Sequence, residues 1–162
     1  MSNNGSAALV SAAAQSTLGE LFKSIAVSYP KRVALMDNGR AITYAELEAR
    51  SNRLANYLVS QGIETGDRIA VLAKNRFEYF EVLIAAAKVG AIVAALNWRL
   101  RETELAHCIQ LVEPCLLIAS AELAILVGDN LDVPGRLLFD DNYDACLESQ
   151  ATSFSPLRFS TE

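Results

Sequence analysis

Apolar residues follow two patterns along the chain, and the alternation of these patterns predicts the order of secondary-structure elements. Apolar side chains that recur every three or four positions are typical of amphipathic helices, whereas short unbroken apolar runs are typical of buried strands. Thr17, Thr43 and Asn75 are each followed three residues later by a glutamate, which predicts a capped helix start at each place. The pattern predicts helices over 17–29, 44–61, 77–89, 103–112, 121–127 and 143–148, and strands over 33–36, 41–43, 68–73, 91–96, 115–119 and 137–139.

The alternation of strands with helices predicts an α/β fold with a mainly parallel sheet flanked by helices. Asn38-Gly39 separates the first two strands, and this dipeptide favours the positive φ angles of a tight turn. A small β-hairpin is therefore predicted at the margin of the sheet. The unbroken apolarity of 69–72, 92–96 and 116–119 predicts three strands that are buried on both faces.

Composition and charge exclude several classes of protein. The 162 residues are 52% apolar and 20% charged, which indicates a folded chain. The net charge of −5 is dispersed without a basic block, which argues against a nucleic-acid partner. The longest apolar stretch, 82–96, is interrupted and is shorter than the roughly 20 residues that span a bilayer, so no membrane span is predicted. We interpret residues 1–16 as a flexible leader, 17–150 as one folded unit and 151–162 as a linker.

Residues that carry metal or nucleophilic chemistry are few in this sequence. The three cysteines contain no Cys-x-x-Cys pair, and their odd number argues against a closed disulfide framework and favours a reducing, cytoplasmic compartment. Cys108 and Cys115 have apolar neighbours and are predicted to be small core residues. The single histidine, His107, is predicted to be a partly buried structural residue. The sequence contains no glycine-rich phosphate loop. These observations identify no catalytic residue and no metal site.

One polar segment follows a predicted buried strand. Asn97-Trp98-Arg99 comes directly after the strand over 91–96, and open α/β sheets bind ligands beyond the carboxyl ends of their strands. In that position Arg99, and Arg101 two residues later, can pair with a phosphate. The alternative is a plain strand-to-helix connection in which Trp98 packs and the arginines are solvated. Residue chemistry alone leaves both interpretations open.

Six short blocks stand in a fixed order along the chain. They are Ala41-Ile42-Thr43-Tyr44-Ala45-Glu46-Leu47, Ser51-Asn52-Arg53-Leu54-Ala55, Gly66-Asp67-Arg68-Ile69-Ala70-Val71-Leu72, Asn75 with Glu78, Lys88-Val89-Gly90-Ala91, and Leu96-Asn97-Trp98-Arg99-Leu100. This order resembles the N-terminal part of the adenylate-forming acyl-CoA synthetase superfamily, from about Thr17 to Ala119 and more loosely to Phe139. Two places depart from that pattern, because Ala95 replaces the usual proline and Ala73-Lys74-Asn75 replaces the usual Leu-Pro-Asn.

The resemblance implies an N-terminal fragment of an AMP-dependent acyl-CoA ligase. Enzymes of this kind use ATP and Mg²⁺ to convert a carboxylic acid to an acyl-adenylate with release of pyrophosphate, and coenzyme A then displaces AMP. The phosphate loop and the catalytic lysine of the family would follow the matched region. The resemblance therefore implies that this chain alone is inactive and binds none of these cofactors. It implies that the partner of the chain is the missing C-terminal portion of the same enzyme, and that the exposed surface favours self-association.

The same resemblance gives Asn97, Trp98 and Arg99 a role in substrate or coenzyme A binding. Asn-Trp-Arg-Leu at this place is similar to the segment found in acyl-CoA and aryl-CoA ligases, which implies that Arg99 contacts a phosphate of coenzyme A. Pairing of Arg99 with a carboxylate of the missing portion remains the structural alternative. For the whole chain, the alternative is a standalone, non-catalytic interaction or dimerisation module that retains the ligase scaffold.

Overall fold

A computed structural model describes residues 16–128 and 133–155. Most of the predicted leader and the end of the predicted linker, 156–162, lie outside these residues. The predicted elements are present, although the last strand and the last helix each begin two residues earlier than predicted. In chain order the elements are α1 (Leu18–Ser28), β1 (Val33–Asp37), β2 (Arg40–Thr43), α2 (Tyr44–Ser60), β3 (Arg68–Leu72), α3 (Phe77–Val89), β4 (Ile92–Ala95), α4 (Glu102–Val112), β5 (Leu116–Ala119), α5 (Ala121–Ala124) followed by a 3₁₀ turn (Ile125–Val127), β6 (Gly135–Leu138) and α6 (Asp141–Glu148).

Four strands form one parallel sheet in the order β4-β3-β5-β6. Strands β4 and β5 follow each other in sequence but do not pair, because β3 lies between them. Ala70 of β3 lies opposite Ala94 on one side and Leu117 on the other. The predicted α/β fold with a parallel sheet is therefore confirmed.

Strands β1 and β2 form a separate antiparallel hairpin. Its turn contains Asn38 and Gly39, whose φ angles of 47° and 82° agree with the predicted tight turn. The hairpin makes no hydrogen-bonded pair with the four-stranded sheet. Instead, Ile42 of the hairpin is fully buried together with Leu47 of α2 and Ile84 of α3. The hairpin thus packs on the helical layer and is not a strand pair at the margin of the sheet.

Different helices cover the two faces of the sheet. On one face, α2, α3 and α6 pack against the sheet, with Leu54, Val82 and Leu147 among the buried side chains. On the other face, α4 and α5 cover the sheet through residues such as Leu105 and Leu123. Removing this apolar surface from water is the main source of stability. The sheet is consequently the middle layer of three.

Burial distinguishes the central strands from β4. Strands β3 and β5 are buried on both faces, as predicted. The same prediction is wrong for β4, which lies at the edge of the sheet and in which Ile92 is 54% exposed. Apolar composition cannot distinguish the two cases, because strand order depends on which crossovers form and not on the residues within the strand.

The starts of the helices show which caps the sequence can predict. Thr17 and Thr43 cap α1 and α2 as predicted. The predicted cap of α3 by Asn75 is wrong, because the first helical N–H, that of Phe77, donates to Oδ2 of Asp37 at 3.2 Å. Asp37 lies 40 residues earlier, at the end of β1. A pattern of adjacent residues cannot identify such a cap.

The segment after α6 lies against α2. The side-chain amide of Asn52 donates to the carbonyl oxygen of Thr152 at 2.9 Å, and that of Asn56 donates to those of Ala151 and Ser153 at 2.9 Å. Two amides therefore hold three successive carbonyl groups, an arrangement that we call the α2 clamp. The first residues of the predicted linker pack on the folded unit.

Candidate functional site

The carboxyl ends of β3 and β5 lie at a crevice where the chain changes direction. After β3 the chain passes to α3 on one face of the sheet, and after β5 it passes to α5 on the other face. Adjacent loops that diverge in this way open the crevice in which α/β sheets bind ligands. Here the crevice has a volume of about 460 Å³, and the hairpin turn contributes to its wall.

Three cations line this crevice, and two of them are paired. Arg76 donates to both carboxylate oxygens of Glu78, at 2.6 and 2.7 Å, and these hydrogen bonds raise the pKa of Arg76. Arg40 donates to Glu46 at 2.6 Å. Lys74 forms no ion pair with any carboxylate in the described part of the chain. The crevice therefore contains one positive charge that is not neutralised by an adjacent acid.

Ser120 also lines the crevice, directly after β5. Its N–H donates to the carbonyl oxygen of Leu72 at 3.1 Å, which places it beside the end of β3. The residue is 3% exposed, and Oγ has no hydrogen-bond partner among the described residues. Leaving a buried hydroxyl unsatisfied costs about 1–3 kcal/mol. A polar group entering the crevice would therefore be stabilised at this position.

The predicted site residues lie together beyond β4. Oδ1 of Asn97 accepts a hydrogen bond from the N–H of Arg99 at 3.1 Å. The guanidinium of Arg99 lies 4.3 Å from the ring centroid of Trp98, and Nζ of Lys74 lies 5.2 Å from the same centroid. Asn97 and Arg99 are exposed, whereas Trp98 is half-buried against the core beneath α4. The structure therefore brings the three predicted residues together and adds Lys74 to them.

Sequence reasoning did not single out Lys74 or Ser120 as functional residues. Each follows a strand, but only the strand order places the two strands next to each other. One signal was available, since Lys74 stands where the resembling family usually has a proline. The sequence alone does not show that this lysine contacts Trp98, because the two residues are distant in sequence and adjacent only in the fold.

A second polar cluster lies among α2, α3 and α6. Glu81 is fully buried and accepts hydrogen bonds from the guanidinium of Arg50 and, at 2.7 Å, from the hydroxyl of Tyr143. Arg50 also donates to Asp144 at 2.7 Å. Burial raises the pKa of Glu81 although Arg50 opposes the shift, and burial together with Glu81 raises the pKa of Tyr143. The members of this cluster satisfy one another, so it joins the helices and offers no ligand site.

The remaining candidate residues do not form a site. His107 is exposed on α4, and the prediction of a partly buried residue is wrong because Leu105 and Ile109 form the face that meets the sheet. The three cysteines are half-buried and free. Within the described ranges, no group of three or more His, Cys, Asp or Glu residues is placed to hold a metal ion. The helices of that part of the chain are too short or too polar to cross a membrane.

Comparison with known proteins shows which family contains this arrangement. The family model described as "AMP-binding enzyme" matches residues 22–153. The chain belongs to this family. The matched range contains the parallel sheet, the crevice and Asn97-Trp98-Arg99, so the candidate site lies wholly within the range that matches the family.

Individual relatives of the chain include coenzyme A ligases. The chain is 47% identical over 78 residues to a 3-oxocholest-4-en-26-oate–CoA ligase from Rhodococcus rhodochrous, a match that covers 48% of the chain and 14% of that protein. It is 40% identical over 109 residues to a feruloyl-CoA synthase from an Amycolatopsis species, with coverage of 67% and 22%. The structure of a Mycobacterium tuberculosis fatty acyl CoA synthetase superposes with a TM-score of 0.78 at 27% identity, with coverage of 85% and 29%. The chain thus spans less than a third of the length of each of these proteins.

Proposed function

We propose that the chain is the N-terminal portion of an AMP-forming ligase that joins a carboxylic acid to coenzyme A through an acyl-adenylate. Its family and its similarity to coenzyme A ligases support this proposal. The observation that carries it is the state of Arg99, which is exposed beyond β4, stacked on Trp98 and without an ion pair among the described residues. An arginine in this state presents several N–H donors to a phosphate.

Each of the three residues has a part in binding coenzyme A. The hydrogen bond from the N–H of Arg99 to Asn97 fixes the turn before a ligand arrives. The half-buried ring of Trp98 restricts the guanidinium, which reduces the entropy that binding would cost. Arg99 then pairs with a phosphate of coenzyme A. These are binding roles, and the proposal assigns no catalytic residue to the chain.

ATP and Mg²⁺ belong to another part of the protein in this proposal. The chain has no glycine-rich loop for the phosphates of ATP, and its described carboxylates form no group fit for a metal ion. No step of adenylate formation is therefore assigned to these residues. The chain alone is inactive, and its partner is the C-terminal portion of the same protein. Unpaired cysteines support a cytoplasmic location.

Replacing Arg99 by alanine in the whole protein tests the proposal. One charge-assisted contact contributes about 1.5–3 kcal/mol, so Arg99→Ala should raise the KM for coenzyme A about ten- to hundredfold. Adenylate formation precedes the coenzyme A step and should be unchanged. Thioester formation measures the first quantity, and ATP–pyrophosphate exchange measures the second.

Arg32→Ala is the matched control for this experiment. Arg32 is exposed and lies 5.8 Å from the ring centroid of Tyr29, so it resembles Arg99 in its stacking but not in its place. The control should change neither half-reaction. If Arg99→Ala lowers both half-reactions together, or only lowers the Tm, Arg99 is a scaffold residue and the proposal for it is wrong.

A further inference from the structure

Lys74 contacts the ring of Trp98 and also lines the crevice between β3 and β5. Its ammonium group lies 5.2 Å from the centroid of that ring. The other crevice cations, Arg40 and Arg76, are neutralised by Glu46 and Glu78. Lys74 is exposed and has no carboxylate partner among the described residues. Its charge is therefore available to a ligand that enters the crevice.

Ser120 supplies an independent indication of a ligand at the same place. The hydrogen bond from its N–H to Leu72 fixes it at the end of β5, beside the loop that carries Lys74. Its hydroxyl is buried without a partner in the described part of the chain, and the adjacent helix does not use it as a cap. A serine in this state can donate its hydroxyl hydrogen to an anion without losing an existing bond.

The geometry points to a phosphoryl-binding site in this crevice, with the Lys74 ammonium and the Ser120 hydroxyl as its ligands. An ammonium group and a neutral O–H donor together suit an anionic oxygen. Of the three acids that line the crevice, only Glu78 is neutralised, by its pairing with Arg76. Asp37 accepts a hydrogen bond from the neutral N–H of Phe77 and keeps its charge, and Glu122 is exposed. The charges of Asp37 and Glu122 oppose an anion and limit its affinity.

The site goes beyond the proposed function, because Lys74 and Ser120 lie outside the Asn97-Trp98-Arg99 segment. It also departs from the expectation that this chain alone binds no coenzyme A. Lys74 and Arg99 nevertheless share the ring of Trp98, so one ligand with two phosphoryl groups can engage both cations. Coenzyme A is such a ligand, and inorganic pyrophosphate is a smaller source of the same chemistry. The experiment distinguishes the two sources.

Trp98 provides the measurement, since it is the single tryptophan of the chain and lies beside Lys74. The 162-residue chain is titrated with pyrophosphate and, separately, with coenzyme A at constant ionic strength. Fluorescence gives the Kd, and calorimetry provides a second reading of it. We expect saturable binding that Lys74→Met weakens about ten- to hundredfold, and that Ser120→Ala weakens about fivefold. Glu122→Gln should tighten binding.

Control variants distinguish a specific binding site from non-specific attraction of anions to positive charges. Lys31→Met removes an exposed lysine between α1 and β1, and it should leave the Kd unchanged. Ser120→Ala removes an unsatisfied hydroxyl, so its Tm should not fall. The proposal is overturned if Lys74→Met and Lys31→Met have equal effects, or if neither fluorescence nor heat shows saturation at millimolar pyrophosphate.

Arg99→Ala identifies the source of the phosphoryl group. If coenzyme A engages both cations, Arg99→Ala should weaken the binding of coenzyme A and leave the binding of pyrophosphate unchanged. Lys74→Met should weaken the binding of both ligands. If Lys74→Met weakens the binding of pyrophosphate alone, the site binds free pyrophosphate and not coenzyme A. Neither result depends on turnover. Loss of ligase activity from the proposed function and loss of this site are therefore separate outcomes.

Discussion

Arg50 is the residue on which the buried cluster of α2, α3 and α6 depends. It contacts Glu81 and Asp144, and its guanidinium lies 5.4 Å from the ring centroid of Phe77. Burial lowers the pKa of Arg50, but hydrogen bonds and charge attraction from the two carboxylates outweigh burial and raise it. Without this cation, Glu81 would be a buried carboxylate with only a phenol as its partner.

Arg50→Met should lower the free energy of unfolding by about 3 kcal/mol at pH 7, because an unpaired buried charge is costly. Arg50 is the group that opposes the rise in the pKa of Glu81, so this pKa should rise further in the variant. When folding raises the pKa of a carboxyl, its contribution to the stability of the folded state is greatest at a pH below the ordinary pKa of 4.5. That contribution is lost as the pH rises through the pKa of the folded state. The deficit should therefore be smaller at pH 5 than at pH 7, as urea unfolding can measure.

Arg40→Met is the comparison for this experiment. The Arg40–Glu46 pair is exposed, with 50% and 36% of the two side chains accessible, and such pairs contribute less than about 1 kcal/mol. A deficit in Arg50→Met that is the same at both pH values would show that the cost comes from lost packing and not from the charge on Glu81.

At the scale of elements, α3 begins where the hairpin meets it. Its first N–H has its acceptor on β1, so the position of the hairpin and the start of the helix depend on each other. The carboxylate of Asp37 also lies at the positive end of the helix dipole. One side chain thus connects the hairpin to the loop that carries Lys74.

Asp37→Ala should lower the free energy of unfolding by about 1 kcal/mol, the usual cost of losing an N-cap. Hydrogen exchange at the Phe77 amide should become faster, because that N–H loses its acceptor. Asp37→Asn retains an acceptor and should have a smaller effect on both quantities. If the alanine and asparagine variants are equally destabilised while exchange at Phe77 is unchanged, the hydrogen bond contributes nothing to the helix start.

Elements defined by neighbouring residues were predictable from the sequence. Thr17 and Thr43 were correctly predicted as caps, because the capping side chain and the N–H that donates to it are three residues apart. The cap of α3 and the exposure of Ile92 were not, because both depend on distant parts of the chain. Local propensity fixes where an element lies, whereas tertiary contacts decide its surroundings.

The candidate site was also predictable only where its residues are neighbours in sequence. Asn97, Trp98 and Arg99 are consecutive and follow an apolar run, so their place beyond a strand was evident. Lys74 and Ser120 follow strands that are separated in sequence by α3, β4 and α4 and meet only in the folded sheet. The order β4-β3-β5-β6 was the information that the sequence pattern lacked.

At the scale of the whole molecule, an apolar patch remains open where the hairpin meets α3. Met36 and Phe80 are 67% and 47% exposed and line the same shallow cavity, and Leu83 follows one helical turn later. We call these three residues the α3 patch. Exposed apolar surface of this kind favours association.

Phe80→Glu should therefore reduce self-association of the 162-residue chain, because it places a charge at the centre of the α3 patch. Sedimentation velocity over a range of concentrations measures the effect. Leu111→Glu is the control, since Leu111 is 77% exposed on α4, away from the patch. A wild-type chain that stays monomeric at high concentration, or an equal effect of both variants, would exclude the α3 patch as the cause.

The α2 clamp has a consequence for the order in which the protein folds during synthesis. It joins side chains of Asn52 and Asn56 to carbonyl groups that lie 95 to 100 residues later in the chain. A nascent chain emerges from its N-terminus, and α2 is therefore exposed long before Ala151 has been added. Until then, both amides lack these carbonyl acceptors, whereas β5, the neighbour of β3, has already been translated. The clamp closes only after the whole sheet has been translated, so residues 151–153 attach to α2 after every strand has been made.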